Sequence, residues 1–158
     1  MGKSISIVKL EERLFERERA KYPNIPIYAI VKPTREDRTA NGLQRCIIDF
    51  LELEGWQAER INVTGRPIFK KMNIGGREVE VLEKWITGQG TKGSADISAT
   101  IEGRSVKIEV KVGNDFQRDE QKKYQIEIER AGGVYYIARN FETFTGWYNK
   151  NFIANGKK

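Results

Sequence analysis

Apolar and polar residues alternate along two neighbouring stretches of the chain, residues 95–101 and 104–112. A period of two is typical of strands that are buried on one face only. Glu102 and Gly103 stand between the stretches, and a glycine in so short a linker predicts a tight hairpin turn. The pattern therefore predicts two antiparallel strands, each with one apolar and one polar face.

The register of this hairpin decides which polar residues meet. If Ile101 pairs with Arg104, the same register places Asp96 opposite Glu109, and Lys111 projects from that face two residues further on. Opposed residues have Cβ atoms about 4.5–5.5 Å apart, and two carboxylates at that distance repel unless a proton or a cation lies between them. The group is either a metal site or a solvated ladder of cross-strand salt bridges, and alternation alone leaves both open.

Helical periodicity appears first in the charged stretch of residues 10–21, which a proline-containing segment ends. Residues 27–31 read as a short strand and residues 33–38 as a polar linker. We therefore interpret residues 1–38 as an N-terminal helical and extended appendage with a linker. The main domain, residues 39–158, begins with an amphipathic helix whose apolar positions run from Leu43 to Leu51, and Gly55 ends it.

The rest of the main domain mixes strands and helices. The patterns predict a strand over residues 57–63, a hairpin over 69–82 around two glycines, a Gly-rich loop over 87–94, a helix over 115–130, a strand over 134–138 and a helical, aromatic C-terminus over 141–152. This order predicts an α/β fold in which helices flank a mixed β-sheet.

Composition limits the protein class. A chain of 158 residues, with 39% hydrophobic and 32% charged residues, suits a soluble domain with a real core. No apolar run approaches the roughly 20 residues of a membrane span, and the N-terminus lacks a signal-peptide pattern. The single cysteine, Cys46, excludes a disulfide framework within the chain. We expect a cytoplasmic protein with no membrane partner.

The chain contains no histidine, which excludes histidine-based catalytic triads and most zinc hydrolase sites. Catalysis must then rest on carboxylates, lysine, tyrosine or a bound hard cation. A net charge of +6 and a pI near 9.4 favour a polyanionic partner, although a merely basic soluble protein fits the same numbers.

The Gly-rich loop matches a dinucleotide-binding pattern between Gly88 and Gly93. That pattern needs a helix after it, and here a strand follows. A phosphate-binding P-loop fails too, since Ser94 stands where its lysine would be. We read the segment as a loop that leads Asp96 onto the sheet, with Lys92 near enough to contact phosphate.

The order of several fragments resembles the PD-(D/E)XK nuclease superfamily, and in particular small phage-type members of its VRR-NUC branch. Gly93-Ser94-Ala95-Asp96 is followed after twelve residues by Glu109-Val110-Lys111 and then by a helix that carries Gln121. The resemblance covers roughly residues 39–150. It includes Leu43-Gln44-Arg45, Ala58-Glu59-Arg60-Ile61-Asn62 and Ala131-Gly132-Gly133.

The resemblance implies a restriction-endonuclease-like sheet and a role for each matched residue. Asp96, Glu109 and the backbone carbonyl of Val110 would bind Mg²⁺ or Mn²⁺, which prefer oxygen ligands. Lys111 would orient the attacking water or stabilise the transition state, and Gln121 would support the site. The helical pattern by itself fits Gln121 equally well as a satisfied core amide.

One residue departs from the family pattern. Members often carry a glutamate at the start of the first helix, where this chain has Ala40, and the nearby polar residues Asn41 and Gln44 are not anionic. Glu59 or another acid could substitute. With one carboxylate fewer, the site is expected to bind a first metal ion more weakly and a second more weakly still. The sequence is therefore also compatible with a slow enzyme, an enzyme that prefers Mn²⁺, or an inactive one.

Basic and aromatic residues offer contacts to nucleic acid. Arg60, Asn62 and Arg66, with Lys92 in the loop, are predicted to contact phosphate, and a solvated loop is the alternative. Three C-terminal aromatic residues either stack on bases or fill the core, and their helical spacing favours the core. They are Trp147, Tyr148 and Phe152.

These observations favour a Mg²⁺- or Mn²⁺-dependent DNA endonuclease, and the resemblance implies branched or flapped DNA as its substrate. A compact domain without an added recognition module suits a homodimer that acts on two strands. A catalytically silent nucleic-acid-binding protein on the same fold is the main alternative. A third class is an interaction protein that uses the hairpin face and the N-terminal helix.

Overall fold

A computed structural model describes residues 2–62, 65–86, 88 and 90–153. The helices are α1 (Ile5–Lys21), α2 (Ala40–Leu53), α3 (Asp119–Arg130) and α4 (Phe141–Tyr148), with a 3₁₀ turn at Ile27–Ala29 and a π-helical turn at Asn149–Ile153. The strands are β1 (Gln57–Arg60), β2 (Arg66–Ile74), β3 (Arg77–Ile86), β4 (Ile97–Ile101), β5 (Arg104–Val110) and β6 (Val134–Ala138).

Four of the strands form one mixed sheet in the order β1-β4-β5-β6. Strand β4 is antiparallel to both β1 and β5, whereas β6 is parallel to β5 and is reached through α3. Helices flank this sheet, so the predicted α/β class with a mixed sheet is confirmed.

The central hairpin has the predicted register. Ile101 pairs with Arg104 and Ile97 with Ile108, the last pair of the ladder between β4 and β5. Asp96 and Glu109 are the next residues along the two chains. Its turn has positive φ angles at both linker residues, 50° at position 102 and 74° at position 103. Two positive φ values are the requirement of a tight hairpin turn whose twist matches that of the strands.

The two faces of the sheet differ as the alternation predicts. On one face the apolar residues of β4 and β5 are buried against α2 and α4. Helix α1 shares this core through Ile7, Leu10 and Leu14. The linker, residues 33–38, also contacts the domain, because Arg35 forms an ion pair with Asp49 of α2. Helix α3 packs on the β5–β6 side of the polar face, where Gln121 contacts Glu109 and Tyr124 contacts Tyr135.

Residues 27–31, predicted as a strand, instead form the 3₁₀ turn Ile27–Ala29. Pro26 precedes the turn with φ at −56°, an angle its ring imposes, and no described strand pairs with the segment. The helix predicted over residues 115–130 begins only at Asp119. Part of the predicted strand over 57–63 and part of the Gly-rich loop, at residues 63, 87 and 89, lie outside the described residues.

Strands β2 and β3 pair only with each other and form a separate two-stranded ribbon. Gly75 and Gly76, with φ angles of 60° and 80°, make its turn, as predicted for this hairpin. Most ribbon residues are exposed. In the described part of the chain, no helix is both long and apolar enough to span a membrane.

Candidate active site

Asp96 stands immediately before β4, where the chain enters the sheet. Its backbone carbonyl accepts a hydrogen bond of 2.8 Å from the Ile61 N–H. Its side-chain Oδ2 accepts another of 2.8 Å from the Val110 N–H. The carboxylate thus replaces a strand carbonyl beside β5, and both bonds hold Asp96 in place at the end of the hairpin.

Glu109 and Lys111 form a buried ion pair on the polar face of β5. The two residues are only 1% and 5% exposed. Lys111 Nζ lies 3.0 Å from Glu109 Oε1 and 3.3 Å from Oδ2 of Asp115, which follows in the loop after the strand. The alternative of a solvated salt-bridge ladder does not describe this pair, since both partners are removed from water.

Gln121 connects α3 to the pair. Its side-chain N–H donates a hydrogen bond to Glu109 Oε1, and its Oε1 accepts one of 2.9 Å from the backbone N–H of Arg118. The first turn of α3 is therefore joined to the buried carboxylate through a single amide. Gln121 therefore contacts Glu109 of the candidate site directly.

The second oxygen of Glu109, Oε2, is buried and has no hydrogen-bond partner among the described residues. Burial raises the pKa of the Glu109 carboxyl, the hydrogen bond from Lys111 offsets this only in part, and the charge of Asp96 raises the pKa further. Burial alone would lower the pKa of Lys111, but its hydrogen bond and ion pair with Glu109 outweigh burial and raise it.

The donors at this position fit a hard cation. Each residue of a strand directs its N–H and C=O to the same side, and this side alternates along the chain. The Val110 N–H points to Asp96 and the Lys111 N–H to Ala138 of β6, so the Val110 carbonyl also faces Asp96. Two carboxylates and one carbonyl are oxygen donors, which suit Mg²⁺ with several retained waters.

No cluster of three acidic, histidine or cysteine side chains arranged for a metal was found among the described residues. Ala40 is the first residue of α2 and supplies no ligand. Asn41 accepts a hydrogen bond of 2.8 Å from Arg60. Glu59 lies on the polar sheet face opposite Ser98 and is exposed. The side-chain donors of the site are therefore two carboxylates.

An open cleft of about 230 Å³ begins at Asp96 and runs along the first turn of α3. Its lining includes two cationic residues, Lys92 and Arg118. Gly93 has a φ of 80° and touches the helix so closely that a Cβ would lie 2.5 Å from a backbone carbon of Glu120. This approach keeps the loop against α3, and the cleft leads from solvent to Asp96.

The residues predicted to bind nucleic acid do not gather at one place. Lys92 lies in the cleft, where it forms an ion pair of 2.9 Å with Glu120. Arg60 ends β1 and contacts α2, Asn62 follows β1, and Arg66 begins the ribbon. Only Lys92 of these four lines the cleft beside Asp96.

The C-terminal aromatic residues belong to the core. Tyr148 and Phe152 are buried, and the Tyr148 hydroxyl accepts a hydrogen bond of 2.7 Å from the Trp56 indole. Trp147 stacks on Tyr136 with ring centroids 4.2 Å apart. Packing, rather than base stacking, accounts for their helical spacing.

Tyr135 is a site neighbour that the sequence did not reveal. It pairs with Lys107 in the parallel register and therefore shares the polar face with Glu109. Burial and the charge of Glu109 raise its pKa, and its ring meets Tyr124 of α3 edge-on at 6.3 Å. Alternation within β6 defines its two faces, but only the register with β5 shows that Tyr135 lies on the site's side.

The chain matches no protein-family model, and a search of curated proteins returns no relative. The resemblance to the PD-(D/E)XK superfamily is therefore still a prediction, which rests on the residues of the chain itself.

Proposed function

We propose that this protein is a Mg²⁺- or Mn²⁺-dependent endodeoxyribonuclease with a PD-(D/E)XK, VRR-NUC-like catalytic centre. The observation that carries the proposal is the buried Oε2 of Glu109, which has no hydrogen-bond partner within the described ranges and lies beside Asp96 and the ion-paired Lys111. Leaving a carboxylate oxygen buried without a partner is costly, and a cation that binds this oxygen removes the cost. Such unsatisfied groups are a reason to look for a missing ion.

Each side chain of the candidate site has a separate role in the proposed reaction. A bound divalent cation would supply Lewis-acid chemistry, which makes water a better nucleophile and neutralises phosphate charge. Asp96 and Glu109 would hold the cation, while the two hydrogen bonds of Gln121 fix the orientation of the Glu109 carboxylate. Lys111 keeps its positive charge, because its pKa is raised, and stabilises negative charge that develops on the phosphate.

A catalytically silent nucleic-acid-binding protein is the second candidate. The observation in its favour is the start of α2, where Ala40 provides no carboxylate and Asn41 is engaged with Arg60. A centre with two carboxylates has one ligand fewer than the family pattern, and metal affinity depends on the number of charged ligands. This protein would bind DNA through its cations without cutting it.

Cleavage assays separate the two candidates. Linear, flapped and four-way DNA are incubated with the protein in Mg²⁺, in Mn²⁺ or in EDTA, beside Asp96→Asn and Lys111→Ala variants. Metal-dependent cutting that both variants lose supports the nuclease. Salt-sensitive binding without cutting in either metal supports the silent protein, and the absence of salt-sensitive binding contradicts both. The three substrates also test the branched or flapped DNA that the resemblance implies.

We further propose a homodimer that acts on two strands of DNA, an arrangement that suits a compact domain. Sedimentation velocity at several protein concentrations, with and without a four-way junction, tests this part of the proposal. A monomer under all conditions would contradict it.

A further inference from the structure

The β2–β3 ribbon separates its charges between two faces. Residues directly opposite each other in an antiparallel pair point to the same face, and successive residues point to opposite faces. Arg66 pairs with Ile86, Lys70 with Val81, Ile74 with Arg77 and Ile68 with Lys84. One face, here termed the basic face, therefore carries four cations: Arg66, Lys70, Arg77 and Lys84.

All acidic residues of the ribbon lie on the other face. Glu78 pairs with Asn73 and Glu80 with Lys71, so both share the face of Phe69. The register shift beside Phe69 leaves Glu83 as an extra residue. Two residues of a bulge oppose one on the partner strand, which places Glu83 with Leu82 on the side of Phe69. The basic face has no acidic side chain, and every residue of the ribbon is among those described.

The four cations are available to a ligand. Each is exposed, and none forms an ion pair with a described residue. Lys71, the single lysine of the opposite face, instead forms an ion pair of 3.1 Å with Glu78. Between the cations, the basic face also shows a short apolar stripe that includes Met72 and Val79, a directly opposed pair.

The dimensions of the ribbon suit double-stranded DNA. Nine residues of β2 at about 3.3 Å per residue span roughly 30 Å, close to one turn of a duplex. The major groove, about 12 Å wide, admits a two-stranded β-ribbon. Because all four cations lie on one face, they can contact DNA phosphates while the acidic residues of the other face point away from the DNA.

The ribbon also starts near the candidate site. The Ile61 N–H is bonded to the backbone of Asp96, and Arg66 follows only five residues later. At about 3.5 Å per extended residue, the first cation of the basic face lies within roughly 18 Å of Ile61. The base of the ribbon is therefore close to Asp96.

We propose that the basic face of the β2–β3 ribbon is a binding site for duplex DNA, which it holds by phosphate contacts. The proposal deepens the proposed function by naming the element that positions the substrate. It requires binding of DNA but not its cleavage.

Lys70 and Lys71 provide a matched pair of test positions. They are neighbours in sequence, both exposed, and they point to opposite faces of the same strand. Charge reversal at either position changes the net charge by the same amount. Lys70→Glu is therefore the test variant and Lys71→Glu its control, with circular dichroism and thermal melting to establish that both fold.

Binding is measured by fluorescence anisotropy with a 30-base-pair duplex, in EDTA, over a range of salt concentrations. We expect Lys70→Glu to weaken binding about tenfold and to reduce the slope of log affinity against log salt by about one. Lys71→Glu should stay within about twofold of the parent protein. Equal losses in both variants would overturn the proposal, because net charge alone would then account for them, and so would unchanged binding in both.

Two further measurements distinguish a DNA site on the ribbon from a dimer interface and from the nuclease centre. Sedimentation velocity of the Lys70→Glu variant tests whether a second copy of the chain occupies the face, and loss of a dimer would overturn the DNA proposal. Because the binding assay contains EDTA, failure of the nuclease proposal does not affect it. If the parent protein cuts DNA and both variants bind DNA equally well, the nuclease proposal is supported and the ribbon proposal is rejected.

Discussion

Lys111 Nζ lies 3.0 Å from Glu109 Oε1, and this ion pair is almost completely removed from solvent. Buried ion pairs seldom add net stability, because desolvation offsets the attraction between the charges. This one leaves Glu109 Oε2 without a hydrogen-bond partner among the described residues. Such an arrangement is costly for folding, and it leaves the two oxygens of one carboxylate with unequal numbers of hydrogen bonds. Both properties are typical of functional sites.

Removing one partner of the pair should destabilise the fold. Lys111→Met leaves Glu109, whose side chain is 2% exposed, without its cation, and we expect the free energy of unfolding to fall by about 3 kcal/mol. Urea unfolding measures the change. The double variant Lys111→Met/Glu109→Gln should recover most of the loss, and an additive loss in the double variant would speak against a coupled pair.

Charge at Asp96 should matter for activity but not for folding. In Asp96→Asn the side-chain oxygen still accepts the hydrogen bond from Val110, while one negative charge near the cation is lost. We expect DNA cleavage in Mg²⁺ to fall by about 100-fold or more, since the cation supplies several kcal/mol of charge stabilisation. Asp119→Asn is the control, because that side chain is 86% exposed on α3. Equal activities of the two variants would refute the assignment.

The amide of Gln121 should stabilise both α3 and the carboxylate. Gln121→Leu removes a donor to Glu109 and an acceptor for the Arg118 N–H, so we expect a loss of about 1–3 kcal/mol in urea unfolding. Gln125→Leu, one turn further along, removes hydrogen bonds to Gln117 and Glu129, neither of which is a buried charge, and should cost only about 0.5–1 kcal/mol. Similar losses at both positions would indicate a general helix effect.

Substitution of Gly93 tests whether its close contact with α3 fixes the loop that precedes Asp96. Gly93→Ala meets both an unfavourable φ of 80° and the Glu120 backbone at 2.5 Å. Gly103→Ala meets only an unfavourable φ of 74°, with open space around the Cβ. We expect Gly93→Ala to be the more destabilising by about 1–3 kcal/mol and to weaken cleavage as well. The difference between their melting temperatures measures the contact, and its absence would show that the loop moves freely.

Cys46 should be inert in the folded protein. Burial raises the pKa of its thiol to about 12, and the nearby carboxylate of Asp37 adds to this. A thiol with a raised pKa stays protonated at pH 8, and its reactive thiolate forms only as the pH rises towards that value. Iodoacetamide at pH 8 should label Cys46 in urea but not in native buffer. Mass spectrometry measures the labelled fraction. Rapid native labelling would contradict the buried environment.

Local patterns predicted most of the elements, because helix and strand periods depend on neighbouring residues. The bounds of β6 and the turn of the β2–β3 ribbon follow the sequence closely. The 3₁₀ turn at Ile27–Ala29 was predicted as a strand, since a strand needs a partner that local pattern does not reveal. Whether β2 and β3 join the sheet or leave it as a ribbon is likewise a matter of tertiary pairing.

The sequence by itself determined the register of the β4–β5 hairpin, because a hairpin turn sets the register and a period of two sets the face. Tertiary structure decided the rest of the site. Only the tertiary structure buries Glu109 and Lys111 and brings Gln121 of α3 to the carboxylate. The physical reason is that register is a local property, whereas burial, pKa and an unpartnered oxygen depend on segments that are distant along the chain.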